Sequence, residues 1–182
     1  MTVRAVLRMG DPALRVAAAP ASGLDAAALD GIVVDLLDTM AAMDGAGLAA
    51  PQIGIPYRVV AFGLKNNPRY PEAEPLPLTV LIDPAVEALE TETEEGWEGC
   101  LSVPGMRGLV TRWRRIRYAG GTPGGERVIR EAAGFHARVV QHECDHLDGV
   151  LYPDRIENRR MFGFIGELQA AGLLGGPALP EE

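Results

Sequence analysis

Residues 141–148 (Gln-His-Glu-Cys-Asp-His-Leu-Asp) constrain this chain most, because they hold two of its three histidines. His142 and His146 are four residues apart, so on a helix both imidazoles project from one face, one turn apart. Imidazoles placed in this way can bind one divalent transition metal ion. Glu143 is rotated by roughly 100° from His142, so it is better placed to take a proton from a water beside the metal than to bind the metal itself. The stretch predicts a metal-binding helix.

A catalytic metal site of this kind needs a third protein ligand and an open position for water or substrate. The remaining histidine, His136, lies upstream of the pair. Glu167, further along the chain, is one candidate for the third ligand, and Cys100 in the segment Glu-Gly-Cys-Leu-Ser is the other. A thiolate suits soft metals better than a carboxylate does. Cys144 faces the opposite side of the helix from the histidines, so we expect a packed thiol there.

The length and charge of the chain limit its class. A chain of 182 residues is most simply one domain, residues 1–182, and residues 172–182 read as a loose tail. The net charge of −8 argues against a nucleic-acid substrate, since phosphate binding needs a basic surface. Two cysteines do not form a disulfide framework. Every apolar stretch is too short to cross a membrane. We therefore expect a cytoplasmic protein without membrane association.

Local patterns predict an α+β fold with antiparallel strands packed around the central metal-binding helix, because strands and helices do not alternate regularly. Asp25 is a suitable N-cap for a helix that ends near Gly45, and the aspartates off its apolar stripe, including Asp35, are expected to be solvated. Prolines in residues 65–77 predict an exposed loop. The predicted strands cover residues 57–64, 78–82, 109–118 and 127–131, and the predicted helices cover residues 134–146 and a final segment from Asn158.

Three separated motifs of the chain closely resemble the signature motifs of the peptide deformylase family. They are residues 45–52 (Gly-Ala-Gly-Leu-Ala-Ala-Pro-Gln), 98–102 (Glu-Gly-Cys-Leu-Ser) and 141–146 (Gln-His-Glu-Cys-Asp-His). The resemblance extends to residues 81–84 (Leu-Ile-Asp-Pro) and 151–153 (Leu-Tyr-Pro) and so covers most of the chain. Members of this family remove the N-formyl group from the initiator methionine of new bacterial polypeptides. The resemblance implies the same hydrolytic activity here.

The resemblance also implies roles for individual residues. Cys100, His142 and His146 match the three metal ligands, which displaces Glu167 as a candidate. Fe²⁺ is commonly the native ion of the family, and Zn²⁺, Ni²⁺ or Co²⁺ can occupy its site. Glu143 matches the base that activates the water and returns its proton to the leaving amine, with release of formate. The oxyanion would be stabilised by two groups besides the metal; these are the side-chain amide of Gln52 and the backbone N–H of Leu101.

Substrate binding is a further hypothesis from the sequence. An extended peptide can pair with the exposed backbone of Gly45, Ala46 and Gly47 as an added strand, and Gly99 lies next to the proposed ligand Cys100. Phe135 and Val139 lie seven and three residues before His142, so they share its helix face and are placed to line a methionine pocket. Ordinary core packing is the alternative for both side chains. Glu98, Asp145 and Arg112 are candidates to orient the ligands, or form plain ion pairs.

The expected partners are N-formylmethionyl nascent peptides, with the ribosome as a further candidate partner. Two other functions are compatible with parts of the pattern. A metallopeptidase would use His142, His146 and Glu167, and would tolerate loss of Cys100. A non-catalytic protein would use the metal only to stabilise a binding fold, and would need neither Glu143 nor Gln52.

Overall fold

The described part of the chain forms two antiparallel sheets and three α-helices. A computed structural model describes residues 2–65 and 74–175. The larger sheet has the strand order β1-β2-β3-β6-β7 and the smaller one the order β4-β5-β8. This confirms the predicted α+β class. The helices are α1 (Ala26–Ala42), α2 (Gly134–Leu147) and α3 (Ile165–Ala170), and the strands are β1 (Gly47–Ala49), β2 (Val59–Leu64), β3 (Leu76–Ala88), β4 (Thr93–Cys100), β5 (Val103–Trp113), β6 (Arg115–Gly121), β7 (Arg127–Ala133) and β8 (Phe162–Phe164).

Helix α1 begins where its sequence predicts. The carboxylate of Asp25 accepts a hydrogen bond from the backbone N–H of Ala28 at 2.8 Å, which caps the helix. The apolar stripe of α1 packs on β1 and β2 in one of the hydrophobic clusters. The expectation that Asp35 is solvated is wrong, since only 7% of it is exposed. The extended N-terminal arm covers it, and Arg4 forms an ion pair with its carboxylate at 2.7 Å.

The strand predicted over residues 78–82 is longer than expected, since β3 runs from Leu76 to Ala88. Strand β3 does not stop at Asp83 but continues beyond it through a change of register between Ile82 and Ala85. Asp83 adopts φ 48° there, and its carboxylate accepts hydrogen bonds from the backbone N–H groups of Ala21 and Ser22. These bonds supply the polar contacts that the irregular strand needs.

The predicted strand 109–118 is in fact two strands in different sheets. Arg114 separates β5 from β6, and its backbone N–H donates to the carbonyl of Glu92 at 3.0 Å. The period-2 pattern changes phase here, because the arginines lie at positions 112 and 114 before the break and at 115 and 117 after it. The prediction of a single strand overlooked this change. The break lets one continuous segment contribute a strand to each sheet.

Helix α2 lies at the centre of the molecule and contacts strands of both sheets. Its predicted bounds of 134–146 agree with the observed helix to one residue at the C-terminus. Val140 and Leu147 of this helix pack against Phe62 and Tyr118 of the larger sheet. This burial fixes the helix from which both histidines project.

The C-terminal region differs from its prediction. Asn158 caps a short 3₁₀ turn, Arg159–Met161, instead of starting the final helix, and α3 begins only after β8. Parts of the predicted loop 65–77 and tail 172–182, namely residues 66–73 and 176–182, lie outside the described residues. No helix in the described part of the chain is long and apolar enough to span a membrane.

Candidate metal centre

Three buried side chains bring their donor atoms together beside α2. Cys100, His142 and His146 each offer one ligand atom, and these atoms all lie within 4.8 Å of one another. The Sγ of Cys100 is 3.2 Å from Nε2 of His146. One thiolate and two imidazoles are an ordinary donor set for zinc or ferrous iron. The residues present therefore fit a divalent transition metal ion.

The third donor comes from the end of a strand. Cys100 is the last residue of β4, and Leu101 and Ser102 form the turn into β5. Glu167, the other candidate for this position, is exposed on α3 and is not part of the donor group. The structure thus favours Cys100 as the partner of the two histidines.

The surrounding charges favour the thiolate form of Cys100. Burial opposes ionisation, but the charge of His146 and hydrogen bonds with both histidines hold the pKa of the Cys100 thiol well below its usual value of 9.0. The thiolate is the form of cysteine that binds metals. The neighbouring histidines thus favour the form of Cys100 that binds metals.

Glu98 connects His142 to the strands. Its Oε2 lies 2.8 Å from Nδ1 of His142, and Arg112 donates to Oε1 and Oε2 at 2.9 and 3.0 Å. Burial raises the pKa of Glu98, but the hydrogen bonds from His142 and Arg112 outweigh burial and hold the pKa well below its usual range. A carboxylate on Nδ1 orients the ring and leaves Nε2 for the metal.

Arg112 also binds the helix next to the second histidine. It donates to Asp145, which precedes His146 and accepts a further bond from Arg155 at 2.7 Å. The sequence pattern of β5 is compatible with a solvated row of arginines, yet Arg112 is only 5% exposed. Strand alternation does not reveal that the smaller sheet turns this arginine towards α2. Arg155 was not identified from the sequence, and no local pattern marks it.

Gln52 lies beside the donor group, in the short 3₁₀ helix Ala50–Ile53 that follows β1. It is fully buried, and its Oε1 accepts a hydrogen bond from the backbone N–H of Ala49 at 2.8 Å. Its amide nitrogen therefore points into the site and donates to Sγ of Cys100 at 3.3 Å and to Oγ of Ser102 at 3.1 Å. Ser102 was not singled out from the sequence, although it lies in the same motif as Cys100.

Glu143 is buried beside the donor group but is not part of it. Burial raises the pKa of its carboxyl to about 7. Among the described residues, its Oε2 has no hydrogen-bond partner. A buried carboxyl with a free oxygen and a pKa near neutrality can both accept and return a proton.

Most of these groups line one pocket that is open to solvent. Phe135 and Val139 line it, as do Cys100, His142 and Gln52. All six residues that the sequence associates with substrate lie in its wall; these are Gly45, Ala46, Gly47, Gly99, Phe135 and Val139. Cys144 is not in this cavity and packs against the core, as expected.

The chain is similar in sequence to known proteins. Residues 3–161 match a family model described as polypeptide deformylase. The chain is 55% identical over 162 residues to peptide deformylase 1 of Bordetella pertussis, a match that covers 89% of this chain and 92% of the relative. It is 53% identical over 166 residues to peptide deformylase 1 of Nitrosomonas europaea, covering 91% and 94% of the two chains.

The fold is also similar to solved structures. A Met-Ala-Ser-bound crystal structure of a class I type b peptide deformylase from Acinetobacter baumannii matches with a TM-score of 0.80 and 39% identity, covering 85% of this chain and 99% of that one. The crystal structure of peptide deformylase from Thermotoga maritima matches with a TM-score of 0.76 and 37% identity, covering 87% and 100%.

Proposed function

The chain belongs to the peptide deformylase family and is a metal-binding peptide deformylase, and on this premise we propose which of its residues remove the formyl group and how. The observation that carries the proposal is that Cys100, His142 and His146 bring their donor atoms together beside a pocket that Glu143 and Gln52 also line. Hydrolysis of a formamide needs a metal site, a carboxyl group that transfers a proton and an amide that stabilises the oxyanion.

Cys100, His142 and His146 hold the ion. A bound divalent ion supplies Lewis acidity and lowers the pKa of a water in the site. The donor set suits several metals, and the resemblance to the family supports Fe²⁺ as the native ion, with Zn²⁺, Ni²⁺ or Co²⁺ as substitutes.

Glu143 moves the proton. Its carboxylate accepts a proton from the attacking water as the water adds to the formyl carbon. The carboxylic acid then returns this proton to the nitrogen of the leaving amine, which gives formate and a free N-terminus. The buried position of Glu143 and its pKa of about 7 support this double role.

Gln52 and Leu101 stabilise the oxyanion of the tetrahedral intermediate. The Oε1 of Gln52 is held by the N–H of Ala49, so the amide nitrogen stays directed into the cavity. Leu101 lies in the turn directly after Cys100 and lines the pocket, which supports its backbone N–H as the second donor. Donors fixed in this way stabilise charge without reorganising during the reaction.

The substrate is an N-formylmethionyl nascent peptide that binds as an extended chain. Strands β1 and β4 are edge strands of the two sheets, and residues 45–47 and Gly99 line the cavity between them. A peptide can add to such edges through backbone hydrogen bonds. The methionine side chain then occupies the apolar part of the cavity beside Phe135 and Val139. The binding of Met-Ala-Ser to the Acinetobacter relative supports this proposal.

The substrate also suggests where the enzyme works. Nascent formylated chains are made in the cytoplasm, so we place the protein there, with the ribosome as its proposed partner. A metallopeptidase that uses Glu167 is disfavoured because this glutamate is exposed, away from the donor group. A purely structural metal site would not require the buried Glu143 and Gln52.

Formate release from formyl-Met-Ala-Ser tests the proposal. The protein is purified anaerobically, its metal content is measured, and the wild type is compared with Glu143→Ala and Cys100→Ala. We expect rapid release by the wild type, loss of release with retained metal for Glu143→Ala, and loss of metal for Cys100→Ala. A metal-loaded wild type that releases no formate would refute the assignment. A Cys100→Ala variant that keeps metal and cleaves unformylated peptides would restore the peptidase alternative.

A further inference from the structure

Arg138 is a buried arginine on the metal helix, one turn before His142. Only 6% of it is exposed, and its guanidinium crosses from α2 to the smaller sheet. It donates to the carbonyls of Glu94 and Val110 at 2.9 and 2.8 Å and to Oε1 of Glu98 at 2.9 Å. One side chain of α2 thus binds main-chain atoms of both β4 and β5.

A glycine in β4 makes room for this guanidinium. A Cβ built on Gly96 would lie 2.7 Å from Cζ of Arg138 and 2.8 Å from its Nε. The Nη1 of Arg138 also approaches the carbonyl of Gly96 at 3.3 Å. The two residues therefore fit together only because position 96 has no side chain.

Glu98 links this contact to the metal site. Its Oε1 accepts hydrogen bonds from both Arg138 and Arg112, while its Oε2 contacts Nδ1 of His142. The strand that contains Glu98 ends at Cys100. Arg138 is therefore connected to His142 through a carboxylate and to Cys100 through the main chain of β4.

We propose that Arg138, seated against Gly96, is a positioning residue of the metal centre. It orients His142 through Glu98, and it fixes the separation between the strand that carries Cys100 and the helix that carries both histidines. The effect on metal binding stands on the geometry alone, whereas the effect on catalysis rests on the proposed deformylase function. The sequence gives a faint signal, since a charged residue occurs on the buried face of the metal helix.

The test must separate geometry from charge. Removing the positive charge of Arg138 would by itself favour a nearby cation, so the informative variants keep the charge. Arg138→Lys retains the charge but cannot reach the same acceptors, because it lacks the planar fork of donors. Gly96→Ala retains Arg138 but displaces its guanidinium from β4. Both variants should change the same measured properties of the metal site, namely its affinity for Co²⁺ and the spectrum of the bound ion.

The readouts are the dissociation constant of Co²⁺ and the visible d–d spectrum of the Co²⁺ protein. Loss of a group that orients a ligand typically weakens metal binding by about 10- to 100-fold, and we expect this range for both variants. The visible d–d spectrum of bound Co²⁺ should also change in both variants. The kcat for formate release should also fall, and the Co²⁺ affinity and spectrum are the deciding readouts because Gly96 lies on the edge strand proposed for the peptide.

Matched controls are available elsewhere in the chain. Arg117→Lys changes an arginine that pairs with Glu87 and Glu131 on the surface. Gly121→Ala adds a Cβ to a strand glycine where the nearest atoms are 3.6 Å away. Neither control should alter Co²⁺ affinity or the spectrum. In an Arg138→Met background, Gly96→Ala should add little further weakening, since the displaced group is already absent.

Several outcomes would overturn the proposal. Co²⁺ affinity and spectra that match the wild type would make Arg138 an ordinary structural residue, even if the variants melt earlier. Failure of both variants to fold when loaded with metal would lead to the same conclusion. A wild type that binds Co²⁺ but releases no formate would instead refute the proposed function, and the affinity measurements would still decide the role of Arg138.

Discussion

Gly47 and Glu143 lie so close together that a Cβ built on Gly47 would be 2.3 Å from Oε1 of Glu143. Gly47 begins edge strand β1, and Glu143 faces it from α2. The missing side chain thus lets the proposed base lie directly against the proposed peptide-binding strand. The sequence identifies Gly47 only as part of the motif at residues 45–52, and the structure shows that Glu143 is its neighbour.

Gly47→Ala should therefore displace the carboxylate of Glu143. A misplacement of about 1 Å can cost on the order of 100-fold in rate, so we expect kcat to fall by about that factor while metal content is unchanged. Gly121→Ala is the comparison, because Gly121 does not line the pocket and its added Cβ would be 3.6 Å from the nearest atom. A Gly47→Ala enzyme with wild-type kcat would mean that Glu143 need not occupy this position.

Val139→Trp should narrow the pocket proposed for the methionine side chain. Val139 lines the cavity and is only 7% exposed, so a larger side chain has to occupy part of that space. We expect KM for formyl-Met peptides to rise at least about 10-fold, since pocket contacts differ by roughly 1–3 kcal/mol per methylene. Formyl-Ala peptides are the internal control, because their shorter side chain should be less affected. An unchanged KM for formyl-Met peptides would remove Val139 from the pocket wall.

The two cysteines should differ in reactivity once the metal is removed. Burial, together with the negative charge of Glu143, raises the pKa of Cys144 to about 12, so almost none of it is thiolate near neutral pH. The pKa of Cys100 is lowered by the neighbouring histidines. After chelation, iodoacetamide should therefore alkylate Cys100 first, because the thiolate is the nucleophile.

Peptide mapping by mass spectrometry measures this order. Metal-loaded protein should be protected at Cys100, and protein unfolded in guanidinium should be alkylated at both cysteines at similar rates. Faster labelling of Cys144 in the folded, chelated protein would contradict the environments described for these thiols.

His136 should make the folded state sensitive to acid. Burial, together with the positive charge of Arg130, lowers its pKa below the usual 6.5, and Nε2 lies 3.3 Å from the hydroxyl of Tyr118. The unfolded chain therefore binds a proton at a higher pH than the folded protein does. The contribution of neutral His136 to stability is complete above about pH 6.5 and is lost as the pH falls through the folded pKa.

Urea unfolding of the wild type and His136→Gln at several pH values between about 5 and 8 tests whether His136 lowers the free energy of unfolding as the pH falls. The glutamine cannot titrate but offers Tyr118 a polar partner. The wild type should lose more free energy of unfolding on acidification than the variant does. Parallel pH profiles for the two proteins would show that His136 does not contribute to the acid sensitivity.

The sequence determines the local features of this protein because they depend on neighbours along the chain. The i, i+4 spacing of His142 and His146 defines one face of a helix without any tertiary contact. Asp25 caps α1 through a residue three positions away. The three motifs together identify the family, and with it the α+β fold and the ligand Cys100.

Only the tertiary structure decides how distant groups meet, because periodicity carries no information about contacts across sheets. The tertiary structure buries Asp35 beneath the N-terminal arm. It also divides residues 109–118 between two sheets at Arg114 and turns Arg112 inward. It also seats Arg138 against Gly96, 42 residues away. Such contacts depend on the space that packed backbones leave between them, and this space exists only once both sheets have closed around α2.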